Sequence, residues 1–90
     1  MGDEDLDKYY EAVDDAENEI VRSLELFPRP AYNAHQAFAV LHEEFDELKA
    51  HVWTNQKRRD LAKMREEAIQ VAAMAIRFAA EVCSEETGRR

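Results

Sequence analysis

Glycine and proline are scarce in this 90-residue chain, two of each. That scarcity excludes the turn-rich sequences of sandwiches and barrels and leaves few places where a helix must stop. A single cysteine, Cys83, cannot close an internal disulfide, so a reducing, cytoplasmic compartment is the expectation. Cys83 has no His or acid at a nucleophile's spacing and reads as a small helix-packing residue. No apolar run approaches the length of a membrane span and no cationic-then-apolar leader is read at the N-terminus, so no membrane partner is expected. His35, His42 and His51 lack zinc-site spacing and a cysteine partner. Base is also in short supply. Twelve Lys and Arg stand against 20 Asp and Glu, a net charge of −8, which argues against binding nucleic acid by bulk electrostatics.

What is present is helical. Apolar residues make up 46% of the chain, too many for a disordered acidic tail. Ninety residues make one domain, with a core so marginal that a second copy is the natural remedy. A first helix is predicted over residues 5–27, where Leu6, Tyr9 or Tyr10, Val13, Ile20, Leu24 and Phe27 recur at spacings of three and four. Asp3 and Asp5 complement its N-terminal dipole, and Pro28 and Pro30 stop it. Nine of the 20 acids lie between Asp3 and Glu19, a solvated face or a surface for a basic partner. A second helix is predicted over 33–54, opened by Asn33 as N-cap with Gln36 as its capping-box partner. Ala34, Phe38, Leu41, Phe45, Leu48 and Val52 form a regular seam along it. A neighbouring stripe, Ala37, Val40, Glu44, Glu47 and His51, begins apolar and turns acidic.

After a polar break at 54–59, with Asp60 as a possible cap, a third helix is predicted within 58–84, and 85–90 as a frayed tail. Between Ala68 and Val82 only Gln70, Arg77 and Glu81 are polar, so this helix must be covered on more than one side. The fold expected is all-α: a three-helix protomer of an antiparallel bundle, completed by dimerisation or as a dimer of dimers.

Chemistry concentrates in His42-Glu43-Glu44-Phe45-Asp46-Glu47, where four carboxylates fall within five positions. On a helix Glu44 and Glu47 project together, as do Glu43 and Glu47. Like charges this close repel unless a cation sits between their oxygens, and hard oxygen ligands suit Mg²⁺ or Mn²⁺. The plainer reading is a solvated face neutralised by Lys49 and nearby bases.

Nineteen positions after Glu47 is read the end of a spacer leading to Glu67, in the run Arg65-Glu66-Glu67-Ala68-Ile69-Gln70-Val71-Ala72-Ala73-Met74. Together the two segments resemble the MazG-like, all-α nucleotide pyrophosphohydrolases, whose signature is Glu-Glu-x-x-Glu on one helix and Glu-x-x-Asp on the next. Glu43, Glu44 and Glu47 match the first half and Glu67 begins the second, but Gln70 stands where the Asp should be. The runs Tyr32-Asn33-Ala34-His35 and Ala39-Val40-Leu41-His42 look like the small stand-alone relatives of phages and actinobacteria. The resemblance covers roughly residues 32–80. It implies Mg²⁺ (or Mn²⁺) held by Glu43, Glu44, Glu47, Glu67 and Gln70, with Glu44 and Glu47 catalytic. It also implies a nucleoside triphosphate cleaved to a monophosphate and pyrophosphate. An amide oxygen at position 70 can coordinate but carries no charge, which lowers the expected metal affinity. Gln70, Glu67, Arg77 and Glu81 form either a narrow solvent face or a site facing Glu44 and Glu47.

Substrate contacts are sought at Asn33, His35, Lys49, Arg58 and Lys63, each with a plainer role as cap or solvated base. Trp53 can stack on a base or close the end of the core. The competing reading is a non-catalytic helical oligomer or interaction module that keeps the scaffold without its metal site. A third is a metal-free adaptor whose acidic first helix meets a basic partner.

Overall fold

The computed structural model describes residues 3–28, 33–54 and 56–83, and within them it is all-helical. Three α-helices follow in order: α1 Asp3–Leu26, α2 Ala34–Val52 and α3 Leu61–Phe78. A short 3₁₀ turn, Gln56–Arg58, precedes α3, and a π-helical turn, Ala79–Cys83, continues it. α1 begins two residues before the predicted 5–27 and ends one residue short of it, while the spans of α2 and α3 shorten at their ends for local reasons. Asn33 lies outside α2, with extended backbone, and its Oδ1 accepts the Gln36 N–H at 2.9 Å. Asp60 does the same for α3, accepting from Lys63 N at 3.1 Å, so the helix begins at Leu61 rather than at 58. Arg59 donates to the Val52 carbonyl at 2.8 Å and satisfies an open end of α2. Pro30, Tyr32, Asn55 and the predicted tail 85–90 lie outside the described residues.

α3 packs against both of the other helices. Arg65 pairs with Asp15 (2.8 Å), and Arg77 reaches Ser23, so α1 and α3 run in the same direction. Gln70 meets Glu44 while Glu67 meets His51, so α2 runs antiparallel to α3.

Two predicted seams are rotated. On α2 the residues turned inward are Ala37, Leu41, Glu44, Leu48, His51 and Val52. Phe38 and Phe45 of the expected seam remain 57% and 52% exposed, and Ala34 is exposed too. The inward stripe thus keeps Leu41, Leu48 and Val52 of the expected seam and adds Ala37, Glu44 and His51 from the neighbouring one. On α1, Tyr9, Tyr10, Val13, Leu24 and Phe27 are exposed, Leu6 and Ile20 are half-buried as expected, and Ala16 and Ser23 are buried. Arg77 meets Ser23 on that buried face.

Cys83 is likewise exposed rather than packed between helices. Among the described residues the buried apolar side chains are Ala16 and Ala73, small groups that let helix axes approach closely. The other two buried residues are polar, Ser23 and Arg77. Arg77 donates to Ser23 Oγ (3.2 Å), to the Phe27 carbonyl (3.0 Å) and to Glu81 Oε2 (2.5 Å). A buried guanidinium is tolerated because each side of it meets an acceptor. No described helix is long and apolar enough to cross a membrane.

Candidate functional site

The inward stripe of α2 and the polar stripe of α3 meet at three carboxylates. Glu44 and Glu47 lie one turn apart on α2, and Glu67 faces them from α3. One oxygen from each falls within 4.8 Å of the others, close enough to share one cation. Glu44 and Glu67 are half-buried and Glu47 is exposed, so the group opens toward solvent on one side.

The Gln70 amide completes it. With Nε2 turned toward the acids it donates to Glu44 Oε1 at 2.9 Å and Glu67 Oε1 at 3.2 Å. The opposite orientation would set a carbonyl oxygen against two carboxylate oxygens. His51 Nε2 stands 4.0 Å from Glu67 on its other side.

Burial and crowding raise the proton affinity of Glu44 and Glu67. Partial burial is the main cause that raises Glu44 to about 7, followed by its hydrogen bond with Glu47 and the charges of Glu47, Glu67 and Glu43. Glu67 is also raised, first by burial and then by Glu47, with His51 opposing. An acid that gives up its proton near neutrality can take part in proton transfer.

Glu44 also lines a cavity of about 400 Å³ at the end of the three helices. Its apolar wall comes from Leu26, Phe27, Val40, Met74 and Phe78, and its polar rim includes Glu19, Arg22, Glu43 and Gln70. Volume and lining are those of a small-molecule site. Arg22 is bound in a fork by Glu19 (2.7 and 3.0 Å), and those bonds raise its pKa further above the ordinary value.

Of the predicted metal ligands, Glu44, Glu47 and Glu67 converge with Gln70 beside them. Glu43 is exposed, lines the cavity and acts on Glu44 through its charge, but lies outside the converging set. The five predicted substrate contacts are not brought to this cavity. Asn33 spends its side-chain oxygen on the cap, and His35 is exposed at the start of α2. Lys49 lies over the ring of Trp53, itself 75% exposed rather than closing the core. Arg58 sits in the 3₁₀ turn, and Lys63 pairs with Glu66 at 3.3 Å along a separate concavity.

The cations that do line the cavity are Arg22 and Arg77, neither of them among the predicted contacts. Arg77 carried a signal, as the lone base in an apolar stretch, where burial demands partners. Arg22 carried none, being one charge among many on an acidic helix.

Compared with known protein families, with characterised proteins and with solved structures, the chain finds no match.

Proposed function

We propose that the protein is a MazG-like nucleotide-binding protein that holds a divalent cation, Mg²⁺ or Mn²⁺, between Glu44, Glu47 and Glu67. On this reading it hydrolyses a nucleoside triphosphate to a monophosphate and pyrophosphate. The observation that carries the reading is the meeting of three carboxylates from two helices beside a cavity that Glu44 also lines. The donor set fits the ion: hard oxygens, few in number, with an open side for waters and phosphate. Such an ion supplies charge for phosphate oxygens and lowers the pKa of bound water. Glu44 lines the cavity and Glu47 is exposed on the open side, positions suited to orienting water and holding its proton. The apolar wall suits a base, and Arg22 at the rim a phosphate. The exposed Phe38 and Phe45 support an antiparallel bundle completed by a second copy, as homodimer or homotetramer. The same reading includes a cytoplasmic location.

The test is pyrophosphate release from a wide panel of nucleoside triphosphates with Mg²⁺ or Mn²⁺. Turnover of at least one, lost in Glu44→Ala and Glu47→Ala, is expected. If the panel gives neither turnover nor metal-dependent thermal stabilisation, the reading fails.

A second reading, a non-catalytic helical oligomer, is favoured by one observation. The Gln70 amide already satisfies Glu44 and Glu67 without an ion. Metal binding that arises only in Gln70→Asp protein would favour this second reading.

A further inference from the structure

We propose that Gln70 is the resident counter-group of the acid cluster, a positioning residue whose amide N–H groups hold Glu44 and Glu67 together where a cation otherwise would. The three acids are then assembled without metal, and an ion enters only by displacing the amide. The bridging stands by itself, whereas the displacement rests on the cation-binding function proposed above.

Three carboxylates within 4.8 Å need protons, cations or donor groups between them. The neighbouring bases are committed elsewhere: Arg22 to Glu19, Lys63 to Glu66 and Arg77 to Glu81. His51 approaches Glu67 at 4.0 Å, beyond hydrogen-bond reach. Gln70 lies one turn beyond Glu67 on α3 and directly opposite Glu44 of α2. Its two amide hydrogens are divided between those residues, at 2.9 and 3.2 Å. The bond to Glu44 ties α2 to α3, while the bond to Glu67 stays within α3.

Residue chemistry at this position is narrow. An acid would add a fourth negative group to the cluster, and an apolar side chain would leave Glu44 and Glu67 facing each other unbridged. Glutamine donates twice and adds no charge. Turned by half a rotation, the same amide presents Oε1, so the residue that closes the cluster can also serve an ion that opens it. The consequence is a site of weakened metal affinity whose geometry is already formed.

Gln70→Glu keeps length and shape and exchanges only the donor for a charge. In EDTA its thermal midpoint is expected to fall by about 5 °C or more, with the helical circular dichroism retained. Adding Glu67→Gln returns an amide–carboxylate pair with the roles exchanged, and should recover most of the loss. An unchanged midpoint in Gln70→Glu overturns the proposal, as does a double variant no more stable than the single. If Gln70→Glu does not fold, the double variant decides alone: folding supports the bridge, and failure overturns it. Mn²⁺ titration followed by electron paramagnetic resonance gives the second arm, with roughly tenfold tighter binding expected in Gln70→Glu than in the parent. If neither protein binds Mn²⁺ while the EDTA results hold, the bridge stands and the cation reading falls. Equal EDTA midpoints with Mn²⁺ bound equally by both sink the bridge and leave the cation reading intact.

Discussion

At the scale of single residues, the chemistry of this protein turns on how one helix face is divided. Glu44 shares its stripe with Leu41 and Leu48, which are half-buried, and so it loses water that Glu43, beside it, keeps. Its pKa near 7 follows from that partial burial and from Glu47. The direction sets a pH dependence. Glu44 and Glu67 both have folded-state values above the ordinary 4.5, so the folded protein binds more protons than the unfolded chain between about 4.5 and 7. The contribution of Glu44 is fully present below about 4.5 and is lost as pH rises through about 7, and Glu67 acts in the same direction. Metal-free protein should therefore lose thermal stability over that window, and Glu44→Gln should flatten the loss, as melting in EDTA across pH would record. Mg²⁺ or Mn²⁺ should oppose the loss most at pH 8, where the acids are ionised. A midpoint independent of metal there would count against the cation site.

At the scale of the helices, caps and one buried cation fix where each element starts and how it is turned. Asn33→Ala removes the side-chain acceptor at the start of α2, and Asp60→Ala the one at the start of α3. Each should cost about 1 kcal/mol, read from chemical unfolding. Arg77→Met should cost more, about 2 kcal/mol, because Glu81 and the Phe27 carbonyl lose their partner in a partly buried setting. The same variant should loosen α1 from α3, read as faster amide exchange in α1, with α2 little changed. These caps were legible in the sequence because an Asn or Asp before an apolar-periodic run has a specific local partner. Arg77's ties to Ser23 and Phe27 were not, because they join positions about fifty residues apart.

At the scale of the whole molecule, three helices leave much apolar surface uncovered. Phe38, Phe45, Leu61 and Ile76 are exposed on α2 and α3. A second copy seated on this surface would bury it, so light scattering should give at least twice the 10.5 kDa chain mass. Phe38→Glu with Phe45→Glu should return the protein to monomer with its helices intact. A monomer at millimolar concentration in the parent protein would remove the oligomer reading.

Sequence alone determined the helical class, the two chain breaks, the caps at Asn33 and Asp60, and the presence of acids at the spacing of one helix face. These are local properties, set by period, by caps and by residues that cannot continue a helix. Tertiary structure decided which face of each helix was buried, since α3 packs against both α1 and α2. It also decided that Glu67 meets Glu44 and Glu47, that Glu43 stays outside, and that Gln70 donates between the acids. Pattern along one chain gives the face of a helix to within a residue or so. Which side chains share a few ångströms across two helices depends on that last residue of rotation, and only packing supplies it.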